Sequence, residues 1–181
     1  MRLTEKVHHI LTNYLKEGDR AIDATAGNGY DTLFLAEQVG PSGKVIAIDI
    51  QDCAIRSTRE KLESTGLIDR VELVTDDHAA ALGKLIEANR EKIAAISFNL
   101  GYLPGSDKSI QTRAESTEEA LATSIHLLTV GGYLCVTAYR GHSGGKAEAM
   151  TVEAFMRKSQ KIGRAHVRTP VTRGSRMPSS A

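Results

Sequence analysis

Nine consecutive positions, Asp23-Ala24-Thr25-Ala26-Gly27-Asn28-Gly29-Tyr30-Asp31, set carboxylates at both ends of a glycine-rich turn directly behind a short apolar run. Such a turn suits a ligand that carries hydroxyls, a carboxylate and a cationic end. Gly27 and Gly29 allow positive φ and let the backbone approach a ligand with no Cβ in the way, and Ala26 and Asn28 complete the cradle. A helix starting near Tyr30 would aim free N–H groups at the ligand's carboxylate. Asp23 and Asp31 would receive its ammonium, directly or through water. Asp49 ends a second apolar run 20 residues after Gly29, where a carboxylate accepts from ribose hydroxyls, with Gln51 beside it. Asp76, Asp77 and His78 follow a third run, which places Asp77 to meet an adenine amino group, with His78 next to it. A nicotinamide dinucleotide fits poorly, because the third small residue of GxGxxG falls on Thr32. S-adenosylmethionine is the better match. No metal set accompanies it: Cys53 and Cys135 are far apart, and His8, His9 and His126 are expected to be surface or packing residues of helices.

Methyl transfer is expected further along, at Ile96-Ser97-Phe98-Asn99-Leu100-Gly101-Tyr102-Leu103-Pro104-Gly105, where an apolar run ends in Asn, turn residues and an aromatic. Enzymes that methylate amino groups often carry Asn or Asp, two prolines and an aromatic here. Asn99 and Tyr102 match, while Leu100 and Gly101 replace the prolines, and Asn99 also borders the cofactor. Tyr139, Arg140, Gly141, His142 and the Gly144-Gly145 pair follow a fifth run as a candidate substrate rim. There His142 either relays a proton or braces the loop, and Arg140 meets phosphate.

These residues need elements that deliver them to one edge. Apolar runs predict strands at 20–23, 44–49, 71–75, 93–99 and 132–139, and helical periodicity predicts helices at 5–16, 30–39, 53–65, 79–90, 114–128 and 146–158. Alternating strands and helices imply an α/β fold of Rossmann-like type, a mostly parallel sheet with helices on both faces. Ligands of such sheets bind beyond the carboxyl ends of the strands, which is where the polar residues above fall.

At 181 residues the chain is sized for one domain, assigned to residues 1–160. The segment 161–181 has no sustained apolar period and holds five Lys or Arg and no acid. It is expected to be disordered and non-native, since its KIGRAHV and TPVT stretches look like a translated sequencing adapter. Without it the domain carries a formal charge of −4, which lacks the overall basicity common in nucleic-acid binders. No apolar run approaches the ~20 residues of a membrane span and no signal peptide is evident, so a cytoplasmic protein without membrane attachment is expected.

AxDATAGNGYDT at the first turn, NLGYLPGSDKSIQT after the fourth strand and AYRGHSGG after the fifth give the sequence a specific likeness. Over residues 1–160 the chain resembles the bacterial tRNA 5-(aminomethyl)-2-thiouridine wobble methyltransferase family, rRNA methylase-like proteins of the class I S-adenosylmethionine-dependent type. The resemblance implies N-methylation of an aminomethyl group on a tRNA anticodon base. It also implies further strands beyond the last helix, so the sheet is expected to lack its final strands. In this reading the carbonyl oxygens of Asn99 and Leu100 orient the amine, Tyr102 and Pro104 pack against the base, and Tyr139 lines the rim. Lys108, Arg113 and Arg140 supply local cations for an extruded loop base, and a homodimer could strengthen the binding. The competing readings are a small-molecule N-methyltransferase on the same cofactor site and a cofactor- or RNA-binding fragment without turnover.

Overall fold

The structure is a computed structural model that describes residues 3–88, 92–103, 111–141, 144–160 and 166–168. Strands β1 (Arg20–Asp23), β2 (Lys44–Asp49), β3 (Val71–Thr75), β4 (Ile93–Leu100) and β5 (Leu128–Ala138) form on the apolar runs. Successive strand side chains point to opposite faces. In β1, β2, β4 and β5 both kinds of position are apolar, so both faces of the sheet must be covered. Ile22, Ile46, Ile96 and Leu134 enter one core, while their neighbours Ala21, Val45, Ala95 and Cys135 enter the other.

Helices α1 (Leu3–Thr12), α2 (Tyr30–Gln38) and α3 (Asp52–Ser64) cover the second face through Val7, Leu11, Leu35, Ala36 and Leu62. Helices α4 (His78–Glu87), α5 (Ala114–Leu127) and α6 (Gly145–Gln160) cover the first through Leu82, Leu85, Leu121, Val152 and Met156. Asp77 starts α4 by accepting from the N–H groups of Ala79 and Ala80 at 2.8 and 3.3 Å, the usual role of an Asp N-cap.

A sixth strand, β6 (His166–Arg168), lies within the segment expected to be without structure and pairs in parallel with Tyr133–Cys135 of β5. β5 would otherwise present unpaired backbone groups there, and an edge partner needs only backbone to satisfy them. That is why the apolar period missed it. The rest of 161–181 lies outside the described residues.

All pairings between strands are parallel, in the order β3-β2-β1-β4-β5-β6. β5 starts earlier than expected, at Leu128, because its pairing with β4 jumps from Ile93–Leu128 to Ala95–Tyr133. The extra residues bulge out with Val130 exposed at their tip and Gly131 at φ +79°. β1 lies between β2 and β4, so successive strands build outward from it in both directions. The carboxyl ends of β1 and β4 therefore flank the switch-point crevice where ligands of such sheets bind.

Candidate active site

A cavity of about 820 Å³ opens at that crevice, a size that takes a cofactor-sized ligand. The expected cofactor residues Ala26, Gly27, Asn28, Asp31, Asp49, Gln51, Asp77, His78 and Asn99 all line it, as do Tyr102, Arg113 and Tyr139 from the expected substrate set. Asp23, Gly29, Leu100 and Arg140 are not on its wall. Pro104, Lys108 and His142 lie outside the described residues.

The turn after β1 is tied to the end of β2. Gly27, at φ +54°, donates its N–H to Asp49 Oδ2 at 2.9 Å, and the Gln51 N–H donates to Oδ1 at 2.9 Å. Burial holds the Asp49 carboxyl above its ordinary value against these donors. The Ile50 N–H also bears on this carboxylate, and an ionised carboxylate with about four acceptor positions still has room for a hydroxyl of a diol. Gly29 departs from its expected role. At φ +79° its missing Cβ leaves room for α3, whose Thr58 Cα would lie 2.9 Å from that atom, so the close approach is to a helix and not to a ligand.

Asp23 is likewise displaced from its expected place. It is fully buried beneath the turn and accepts from Thr32 Oγ1 at 2.7 Å and from the Thr25 N–H at 3.2 Å. Burial, then the charge of Asp31, pushes its carboxyl up to about 7. It braces the turn and makes no direct contact with the cavity, whereas Asp31 does line it.

Asp31 gathers two partners. His8 Nε2 is hydrogen-bonded to its Oδ1 at 2.5 Å, and the Asn99 side-chain N–H donates to its Oδ2. The His8 ring lies flat on Phe34, with centroids 3.8 Å apart and planes 6° from parallel. His8 thus packs as expected but also lines the cavity, a place that helical spacing alone does not indicate. No local signal marks it, because its partner is 23 residues away.

At the other end, Ser116 of α5 donates to Asp77 at 2.8 Å and lies 3.1 Å from His78 Nε2. Burial raises Asp77, but the Ser116 hydroxyl, the His78 charge and the helix N–H groups outweigh it and hold the carboxyl below its ordinary value. Burial pushes His78 down, towards the neutral ring, against its acidic neighbours Asp77, Glu148 and Asp49.

Of the two carbonyl-bearing residues expected to orient an amine, only Asn99 reaches the cavity. The Leu100 carbonyl accepts the Tyr139 N–H at 3.3 Å and its side chain is buried, because β4 stays in the ladder through that residue. The Asn99 backbone N–H is itself held by Thr25 Oγ1 at 2.7 Å. Beyond it, Tyr102 and Gln111 form an antiparallel bridge, and Thr112 pairs with Gly101. Buried Glu148 of α6 anchors this neck by accepting from Thr112 and Thr117 at 2.8 and 2.7 Å. Arg140 is turned away, its guanidinium 2.5 Å from Glu153 of α6. Arg113 is the one Lys or Arg on the cavity wall among the described residues.

Gly27 and Asn28 at a helix start, a pinned Asp49 and a capped Asp77 fit the carboxylate, ribose and adenine of S-adenosylmethionine. Among the described residues no cluster could hold a metal ion, and no helix is long and apolar enough to cross a membrane.

Residues 45–173 match the sequence profile of the Putative rRNA methylase family. A chloroplastic tRNA (mnm(5)s(2)U34)-methyltransferase of Arabidopsis thaliana is 38% identical over 162 residues, covering 85% of this chain and 58% of that protein. The chain thus spans little more than half of that relative. A Clostridium thermocellum structure of the same family description superposes with a TM-score of 0.81 at 41% identity, covering 87% of this chain and 82% of the other. A Streptococcus mutans methyltransferase in complex with SAH gives 0.76 at 37% identity, with the same coverage.

Proposed function

Because the chain belongs to the Putative rRNA methylase family, S-adenosylmethionine-dependent methyltransferases of Rossmann-like fold, we propose that it methylates the aminomethyl nitrogen of a tRNA wobble uridine. The observation that carries this is Asn99, held by Thr25 and Asp31 at the mouth of the crevice. The plant relative's name supports the choice of substrate.

S-adenosylmethionine supplies a sulfonium methyl whose thioether leaving group departs neutral, so this chain's task is positioning. Asp49 holds the ribose hydroxyls, and Asp77 with His78 borders the adenine. Asp31 accepts the Asn99 side-chain N–H, which turns the amide oxygen the other way. That oxygen accepts an N–H of the substrate amine and aims its lone pair. Tyr102 packs against the base, and Arg113 meets a backbone phosphate. Tyr139, pushed up by burial and by Asp31, stays a neutral phenol over the ordinary pH range.

The test offers tRNA bearing 5-aminomethyl-2-thiouridine and S-adenosylmethionine with a labelled methyl group. Label should enter the wobble nucleoside. Asn99→Ala should lower kcat roughly 100-fold or more while affinity for S-adenosylhomocysteine changes less than about threefold. Label entering only free small amines would assign a small-molecule substrate instead, and full turnover by the variant would remove Asn99 from the mechanism.

A further inference from the structure

An aminomethyl group is an ammonium at neutral pH and has no lone pair until a proton leaves. Asn99 accepts a hydrogen bond but cannot take that proton. Beyond Asn99 lies Asp31, and on its other oxygen His8, one imidazole held between a carboxylate and an aromatic ring. The three side chains all line the cavity. The His8 side chain is 30% exposed, so it can exchange a proton with solvent.

Resting on the amine-methylating function above, we propose that His8 is the general base of the reaction, oriented by Asp31. A carboxylate only accepts, so Nε2 carries the hydrogen that faces Asp31 and Nδ1 carries the lone pair. The proton of the substrate ammonium moves to Nδ1, directly or through one water, giving an imidazolium next to the Asp31 carboxylate. The freed nitrogen pair then forms the bond to the methyl carbon as the carbon–sulfur bond breaks and its electron pair goes to sulfur. The product is a secondary ammonium, and His8 returns its proton to solvent. The arrangement follows the logic of a base held in one tautomer by a neighbouring carboxylate. Among the described residues, the titratable groups around the pair include Glu5 and Tyr30 on the same wall, Asp23 beneath Asp31, and Tyr139 past the end of β5.

His8→Gln keeps an N–H for Asp31, and His8→Phe keeps the flat stack on Phe34. In the full chain, both variants should lose about 100-fold in kcat at pH 7 with the tRNA KM and S-adenosylhomocysteine affinity within threefold of wild type. The loss should shrink steadily towards pH 9.5, where the amine sheds its own proton. A constant loss at every pH would make His8 a positioning residue and overturn the proposal, as would wild-type kcat in either variant. An inactive wild type on this tRNA would remove the function and this inference together, whereas an active wild type with unaffected variants would remove the inference alone.

Discussion

The Thr25 hydroxyl accepts the Asn99 backbone N–H across the gap where β1 and β4 part, so one side chain sets the spacing between the glycine turn after β1 and the end of β4. Two positions earlier, Asp23 shows what such a site costs. Its carboxyl is raised from 3.8 to about 7 by burial, the charge of Asp31 and, last, that of Asp49. Between about pH 4 and 7 the folded chain therefore holds a proton that the unfolded chain has released. Stability from this group is fully present at the acid end and falls as pH rises, by at most about 1.4 kcal/mol per pH unit, then levels above 7. Asp23→Asn keeps the neutral shape without the titration. Its melting temperature should fall less than that of wild type between pH 5 and 7.5 in calorimetry, and parallel curves would refute the assignment. That Asp49 and Asp77 reach the cavity was legible because the apolar runs that precede them fix where each strand stops, whereas the burial of Asp23 beneath the turn was not. His8, Ser116 and Glu148 were not, since their partners lie 23 to 39 residues away and only the folded chain brings them together. Arg140 was misplaced for the same reason, because Glu153 on α6 competes for it.

At the scale of elements, β1, β2 and β3 fall where the runs of apolar residues put them, and the helices begin and end within a few residues of the periodic stretches. A doubly covered parallel strand writes itself as a continuous apolar run. The start of β5 was hidden because Thr129 to Gly132 bulge out, which breaks the run while the strand continues on both sides. The α2–α3 contact was hidden as well, and it decides what Gly29 does. Gly29→Ala would place a Cβ 2.9 Å from Thr58 Cα at φ +79°, a clash with backbone in a conformation that L side chains rarely adopt. The melting temperature should drop by about 5–10 °C, the equivalent of roughly 2–3 kcal/mol in a chain of this size. Thr58→Ala in the same chain should not restore it, because the obstructing atom is Cα and the Thr58 hydroxyl also donates to the Gly27 carbonyl at 3.2 Å. Recovery in the double variant would mean that the side chain alone sets the contact.

Across the whole molecule, the cavity and the far edge of the sheet belong to different regions. β6 pairs with Tyr133–Cys135 of β5, while the cavity begins at Tyr139 and extends back across β4, β1 and β2. The cavity-lining residues proposed to hold the cofactor are therefore separated from β6 by the carboxyl end of β5, whose Phe98–Val136 and Asn99–Thr137 pairings with β4 do not involve it. Removing residues 161–181 should leave S-adenosylhomocysteine affinity within about twofold by calorimetric titration. It should also expose the β5 edge, lowering the melting temperature by a few degrees and increasing concentration-dependent association, since an unpaired strand edge is a template for another chain. The same deletion removes five of the 23 Lys and Arg residues and no acid. If the tail guided tRNA through its charge, the KM for tRNA would rise at low salt and converge with that of the full chain as salt screens it. If Arg113 and the pocket govern recognition, KM stays level at every salt concentration. A loss of cofactor affinity beyond tenfold would show instead that β6 supports the site through β5, against the separation that the pairing register describes.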